Sequence, residues 1–282
     1  MSAEELPAPN RVGIGERDPG SDSSHPGTPV DPADRGARED RDRLIGAPFL
    51  PPQEVAATPV SGTASVVLDS RSQVSEHFRI LATKVRMLVS FDRPACIGVV
   101  SASAREGKTT VSIGLAHALT RTVATRVALL DLDLRRPALA HSLGLGKAEG
   151  IGEWLDNRSE GIPLRRRSDV DFVVATAGEL ISGSYELLGG RPMLRALEAA
   201  RQAFEFTLLD LPPLGPVADA LAVQDHIDGF LLVVRSRHCP AEAIQAAVSR
   251  LRVGMLLGIV FNDQRDIIPA YYNYASRRYG KD

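Results

Sequence analysis

One lysine of this chain stands in a glycine-bearing loop between two apolar patterns. The stretch Ser101-Ala-Ser-Ala-Arg-Glu-Gly-Lys-Thr-Thr110 follows a short apolar run, Cys96–Val100, and precedes a helical pattern, Lys108–Leu119. It is nearly the phosphate-loop pattern G-x-x-x-x-G-K-[ST], with Ala102 in place of the first glycine. The chemistry that needs this arrangement is anion binding at a helix N-terminus, where backbone N–H groups face the ligand. The cradle runs from Ala102 through Ser103, Ala104, Arg105, Glu106, Gly107, Lys108 and Thr109 to Thr110. Gly107 lets the backbone come close, Lys108 reaches the outer phosphates, and the Thr109 hydroxyl is placed to ligate magnesium.

Two acidic segments follow in order. Arg126–Leu132 reads as an apolar strand that ends in Asp131-Leu-Asp-Leu-Arg-Arg-Pro137. Residues two apart on a strand face the same side, so Asp131 and Asp133 are expected together at the sheet edge that carries the loop. They suit magnesium held through water, or the proton of an attacking hydroxyl. A later run, Phe206–Leu211, delivers Asp210 ahead of Pro212 and Pro213, the expected acidic partner of magnesium. Asn262, just past the last predicted strand, is a candidate contact for the base of the nucleotide.

The elements that must position these groups alternate. Strands are predicted at Cys96–Val100, Arg126–Leu132, Phe172–Ala175, Phe206–Leu211, Gly229–Val234 and Met255–Phe261. Helices are predicted at Glu76–Leu88, Lys108–Leu119, Met193–Phe204, Pro216–Gln224 and Ala241–Leu251. The strands are apolar on both faces, the mark of a parallel sheet covered by helices on both sides. The fold class is therefore α/β, a P-loop NTPase with a mostly parallel sheet, and ligands are expected beyond the C-terminal ends of the strands.

Residues 1–65 are expected to be disordered, because Met1–Pro59 is dense in Pro, Asp, Glu, Arg, Ser and Gly and cannot bury enough apolar surface to offset its ordering entropy. The ordered domain is expected over 66–268, and a flexible tail over 269–282. Four of the five tyrosines, Tyr271, Tyr272, Tyr274 and Tyr279, fall in that tail, a spacing that fits neither a buried strand nor a helix face and suits a substrate. The formal charge is −2, which offers nucleic acid no basic footprint. Cys96 and Cys239 have no metal-like spacing, and a reducing compartment suits them. No apolar run approaches the ~18 residues of a membrane span. Trp154 and the run Arg165–Arg167 read as structural or surface features.

From about Ser70 onward the chain resembles the bacterial tyrosine autokinases of polysaccharide assembly, the BY-kinases. The resemblance rests on the Ala102–Thr110 loop, Leu129–Pro137 (LLDLDLRRP), Leu208–Pro213 (LLDLPP), the tyrosine-rich tail and Glu76-His-Phe-Arg79. It implies an ATP–magnesium site of Lys108, Thr109, Asp131, Asp133 and Asp210. Thr109, Asp133 and Asp210 would serve the metal, and Asp131 would activate the tyrosine hydroxyl or bind metal as well. It implies autophosphorylation of the tail between subunits of a ring, with Glu76 and Arg79 as oligomer contacts. It also implies a membrane-embedded activator of the polysaccharide co-polymerase class, a tyrosine phosphatase, and a cytoplasmic protein recruited to the inner face of the membrane.

Three departures are visible. Ala82 stands where the ring motif E-x-x-R-x-x-R has its second arginine, Gly183-Ser184-Tyr185 replaces a usual Asn-Pro, and the tail holds fewer tyrosines. A ParA/MinD-type positioning ATPase shares the loop and acidic strand ends, but carries an extra lysine where this chain has Ser103. An ATP-binding regulatory scaffold with little kinase activity is the third reading.

Overall fold

The computed structural model describes residues 49–264, apart from positions 57, 59, 61, 62, 70, 90–92, 124 and 125. The tail tyrosines and residues 1–48 lie outside the described residues. In chain order the strands are β1 (Gln53–Val55), β2 (Ala95–Ser101), β3 (Val127–Asp131), β4 (Arg165–Arg167), β5 (Val173–Ala175), β6 (Phe206–Asp210), β7 (Gly229–Arg235) and β8 (Leu256–Asn262). The helices are α1 (Thr63–Leu68), α2 (Gln73–Leu88), α3 (Lys108–Val123), α4 (Leu139–Ser142), α5 (Ile151–Leu155), α6 (Ser184–Leu188), α7 (Arg191–Ala203) and α8 (Ala241–Ser249).

The strands form one sheet in the order β1-β4-β5-β3-β6-β2-β7-β8. Every neighbouring pair is parallel except β4 with β5. Alternate residues of each strand feed two cores. Ala128 and Leu130 of β3, with Leu209 of β6, pack on one face together with Trp154, Met193 and Leu197. Val127, Leu129 and Leu208 pack on the other with Ala82, Val85, Ile113 and Leu119. Full burial of an aromatic such as Phe230 contributes about 1.5–3 kcal/mol, and its ring lies so close to β2 that a Cβ on Gly98 would sit 2.6 Å from it. That clash accounts for a glycine in the middle of a central strand.

Two expectations need correction, and a third is narrowed. Order begins before Val66: the Phe49 ring meets Phe204 edge-on at 5.6 Å, and Gln53–Val55 pairs with the arginine run. Backbone pairing needs no apolar pattern, so composition did not reveal it. Arg165–Arg167, read as structural or surface, is structural: it forms β4. Arg167 is buried, with its guanidinium on Asp169 and on the Leu143 carbonyl at 2.9 Å. Pro216–Gln224 yields only a 3-10 turn at Asp219–Val223.

Helix α2 packs on α3 where the Phe78 ring covers Gly114, leaving no room for a Cβ there. Beside this contact His117 is 5% exposed, and neither ring nitrogen has a hydrogen-bond partner among the described residues. Burial, helped by Arg121, holds its pKa below 6.5. The unfolded chain therefore takes up this proton first as pH falls, so His117 favours the fold above about pH 6.5 and that share is lost below it. His117→Leu is expected to flatten the acid side of the stability curve in urea melts at pH 5 to 7. Parallel curves for the two proteins would count against the assignment.

Candidate functional site

The loop leaves β2 at the sheet's C-terminal edge and is held from three sides. Beneath it, Leu214 N–H donates to Ser101 O at 2.8 Å and Gly215 N–H to Ala102 O at 3.1 Å. The turn after Pro212-Pro213 thus clamps its base. Within it, the Ser101 hydroxyl donates to Ser103 O at 2.6 Å, and the Ser103 amide donates to the buried Glu106 carboxylate at 2.9 Å. From β8, Asn262 Nδ2 donates to Glu106 O at 2.9 Å. Gly107 has φ 90°, and a Cβ there would lie 2.0 Å from Asn262 Nδ2, so glycine is required twice over. Ala102 does not share that left-handed backbone, and its methyl is buried. The missing first glycine is therefore tolerated. Arg105 does adopt it, with φ 64°, at a cost of roughly 1–2 kcal/mol for a side-chain-bearing residue.

The acidic strand ends meet this loop. Asp131 of β3 and Asp210 of β6 are register partners on adjacent strands. Asp210 receives the Thr109 hydroxyl at 2.6 Å and the Ser112 hydroxyl at 3.3 Å. Lys108 Nζ lies 3.8 Å from Asp133 Oδ2. Asp133 sits just past the strand, its Oδ1 accepting from the Arg136 amide at 3.1 Å. Asp131 is fully buried, and its oxygens accept from the backbone amides of Asp133, Ala138 and Leu139 at 3.3, 3.1 and 3.0 Å. A substrate hydroxyl has no open approach to it.

Three carboxylates are buried together, and Lys108 faces two of them, Asp133 and Asp210. Burial, then the neighbouring Asp210, pushes the Asp131 carboxyl well above the ordinary carboxylate range. Burial raises Asp210 as well, against the opposing pull of Lys108 and Thr109. Burial also raises Asp133, with Lys108 again opposing. The site is short of positive charge, which fits a divalent cation. Among the described residues no three His, Cys, Asp or Glu side chains form a metal cage. A hydroxyl–carboxylate pair such as Thr109–Asp210 is the partial set that magnesium uses when substrate phosphates and waters supply the rest.

Sequence reasoning missed three contributors. Ser112 is one turn beyond Thr109 and shares its partner. Glu106 braces the loop from inside. Asp219, 2% exposed, accepts Arg135 at 2.8 and 3.2 Å and the Ser184 hydroxyl. The departure at Gly183-Ser184-Tyr185 thus starts α6 and ties it to the arginine after Asp133. Two groups expected to make contacts already have partners within the chain. Asn262 spends its amide on the loop backbone instead of facing open space. Glu76 and Arg79 pair with each other on α2, with Arg79 Nε 2.7 Å from the carboxylate, and Ala82 is buried in the core.

The fold and the loop define a P-loop NTPase-type α/β protein. No family model matches the chain. It is 28% identical over 211 residues to the tyrosine-protein kinase CpsD of Streptococcus pneumoniae serotype 4, covering 72% of this chain and 90% of that one. It is 28% identical over 211 residues to the succinoglycan biosynthesis transport protein ExoP of Rhizobium meliloti, covering 72% of this chain but only 27% of that longer protein. The kinase domain of the Escherichia coli tyrosine kinase ETK shares the fold, with a TM-score of 0.66 and 23% identity over 74% of this chain and 84% of that one. The chain is thus similar in sequence to bacterial tyrosine-protein kinases and shares the fold of one such kinase domain.

Proposed function

We propose that this protein is an ATP- and magnesium-dependent tyrosine autokinase whose acceptors are Tyr271, Tyr272, Tyr274 and Tyr279. The observation that carries this reading is where the chain leaves the sheet. Strand β8 runs parallel to β2 by way of β7, and it ends at Asn262 against the phosphate loop. Tyr271 follows nine residues later, within at most ~30 Å of extended chain. The tail therefore starts at the site and can serve that site or a neighbour's.

In this reading Lys108 and the loop amides hold the phosphates. Thr109 and Asp210 hold magnesium, which would neutralise charge on the phosphate oxygens. Asp133, beside Lys108 and less enclosed than Asp131, takes the phenolic proton as the tyrosine oxygen bonds to the γ-phosphorus and the bond to ADP breaks. Asp131 fixes the turn that carries Asp133. Among the described residues no helix is long and apolar enough to cross a membrane. Recruitment to the membrane by a co-polymerase-type activator, with a phosphatase resetting the tail, completes the proposal. Its process is exopolysaccharide or capsule synthesis and export. Self-association, as a ring, would bring a neighbour's tail to the site. Each phosphate adds about −1.5 to −2, so a fully modified tail is expected to disperse such a ring.

The test is incubation with ATP and magnesium followed by phosphate mapping by mass spectrometry. Phosphate on the four tail tyrosines supports the kinase. ATP hydrolysis with no phosphotyrosine, even with an activator present, sinks this reading in favour of a positioning ATPase, and nucleotide binding without turnover favours the scaffold.

A further inference from the structure

Arg105 stands apart from its surroundings. It holds a left-handed backbone that favours glycine, it is exposed at the tip of the loop, and its side chain has no partner among the described residues. Several arginines at the same edge are engaged: Arg135 with Asp219, Arg235 with Asp263, and Arg250 with the Gly215 carbonyl; Arg136 is exposed beside Asp133, whose charge it feels, but its backbone is not left-handed and it lies outside the loop. Lys108, three residues on, points inward to Asp133. A strained, unpaired guanidinium beside a phosphate cradle contributes nothing visible to the fold.

We propose that Arg105 is a catalytic residue of phosphoryl transfer, its guanidinium covering from the solvent side the triphosphate held by its own loop. This rests on the kinase reading. As the tyrosine oxygen bonds to the γ-phosphorus, the bond from that phosphorus to the bridging oxygen breaks. The electron pair stays on the departing ADP, and the phenolic proton goes to Asp133. Charge grows on the bridging and β-oxygens, and a planar, permanently charged donor fork suits those oxygens better than a point charge. Lys108 serves the inner side, where the acids compete for it, and Arg105 serves the outer side.

The variants are Arg105→Gly, Arg105→Gln and Arg105→Lys in the full chain. Without nucleotide, Arg105→Gly is expected to melt at or above the wild-type midpoint, because glycine accepts the backbone without strain. ADP affinity should change by less than about tenfold, while phosphoryl transfer at saturating ATP falls about 10²-fold or more. Arg105→Lys should retain more activity than Arg105→Gln. A midpoint below wild type with a rate loss matching the unfolded fraction would make Arg105 a structural brace and overturn the proposal. So would an Arg105→Gly rate within threefold of wild type. If the wild type hydrolyses ATP without modifying tyrosine, the kinase reading fails, and the same comparison on phosphate release still decides the role of Arg105. A wild type that does neither overturns both.

Discussion

Lys108→Met is expected to reduce phosphotyrosine formation by about 10²–10³-fold or more while leaving the fold intact. The reason lies in what Lys108 touches. Its only ion pair among the described residues is the 3.8 Å contact with Asp133, too long to contribute much to stability. Its stem is largely buried, and methionine fills similar space with an unbranched chain. The cation, however, is the one that opposes the raised proton affinity of both Asp133 and Asp210. Without it those carboxyls move further up, and the phosphates lose the charge that faces them from the acidic strand ends. Radiolabel transfer beside a thermal melt checks this. Activity within tenfold of wild type would remove Lys108 from the mechanism, and a collapsed melt would make it structural.

Asp131 and Asp133 should separate cleanly when each is replaced. Asp131→Ala removes the acceptor of three backbone amides, two of them in buried hydrogen bonds, and a buried one costs about 1–3 kcal/mol if left unpaired. Relief of a crowded, buried carboxyl offsets part of that, so a net loss of about 2–4 kcal/mol is expected. The loss should depend on pH. A carboxyl raised in the folded state contributes most below its unfolded value of about 3.9 and loses that contribution as pH rises through its folded value. The deficit of Asp131→Ala is therefore largest in acid and shrinks toward neutral pH. Asp133→Asn should behave oppositely. It keeps an acceptor for the Arg136 amide, melts near wild type, and loses about 10²–10⁴-fold in phosphoryl transfer. Urea melts from pH 4 to 8 with single-turnover kinetics measure both. Full stability of Asp131→Ala, or full activity of Asp133→Asn, would reverse the two roles.

Much of the architecture was legible because parallel sheets write themselves plainly. Strands buried on both faces must be apolar throughout, so β2, β3, β6 and β7 stood out. The P-loop strand, the acidic strand ends and their order were equally clear, because each is a short local pattern with a local physical cause. The edges of the sheet were not. Strand β4 is three arginines and β1 is Gln53-Glu54-Val55, and both are held by backbone pairing and by charges distant in the chain. Strand β8 was predicted as fully buried, yet Ile259 and Phe261 are exposed, because an edge strand has cover on only part of its surface.

By itself, then, the sequence determined the fold class, the phosphate loop and the acidic side chains around it, since residue type and spacing are enough to specify backbone amides, a lysine and carboxylates at strand ends. The tertiary structure alone decided how those groups divide their work. Whether Asp131 is open or sealed depends on the amides of Ala138 and Leu139 closing over it. Whether Asn262 faces a base or braces the loop depends on β8 lying two strands from β2. Whether Arg105 is idle or poised depends on which neighbours already hold a partner. Burial, hydrogen-bond partners and proton affinity are set by groups brought together from distant parts of the chain, and no local pattern carries them.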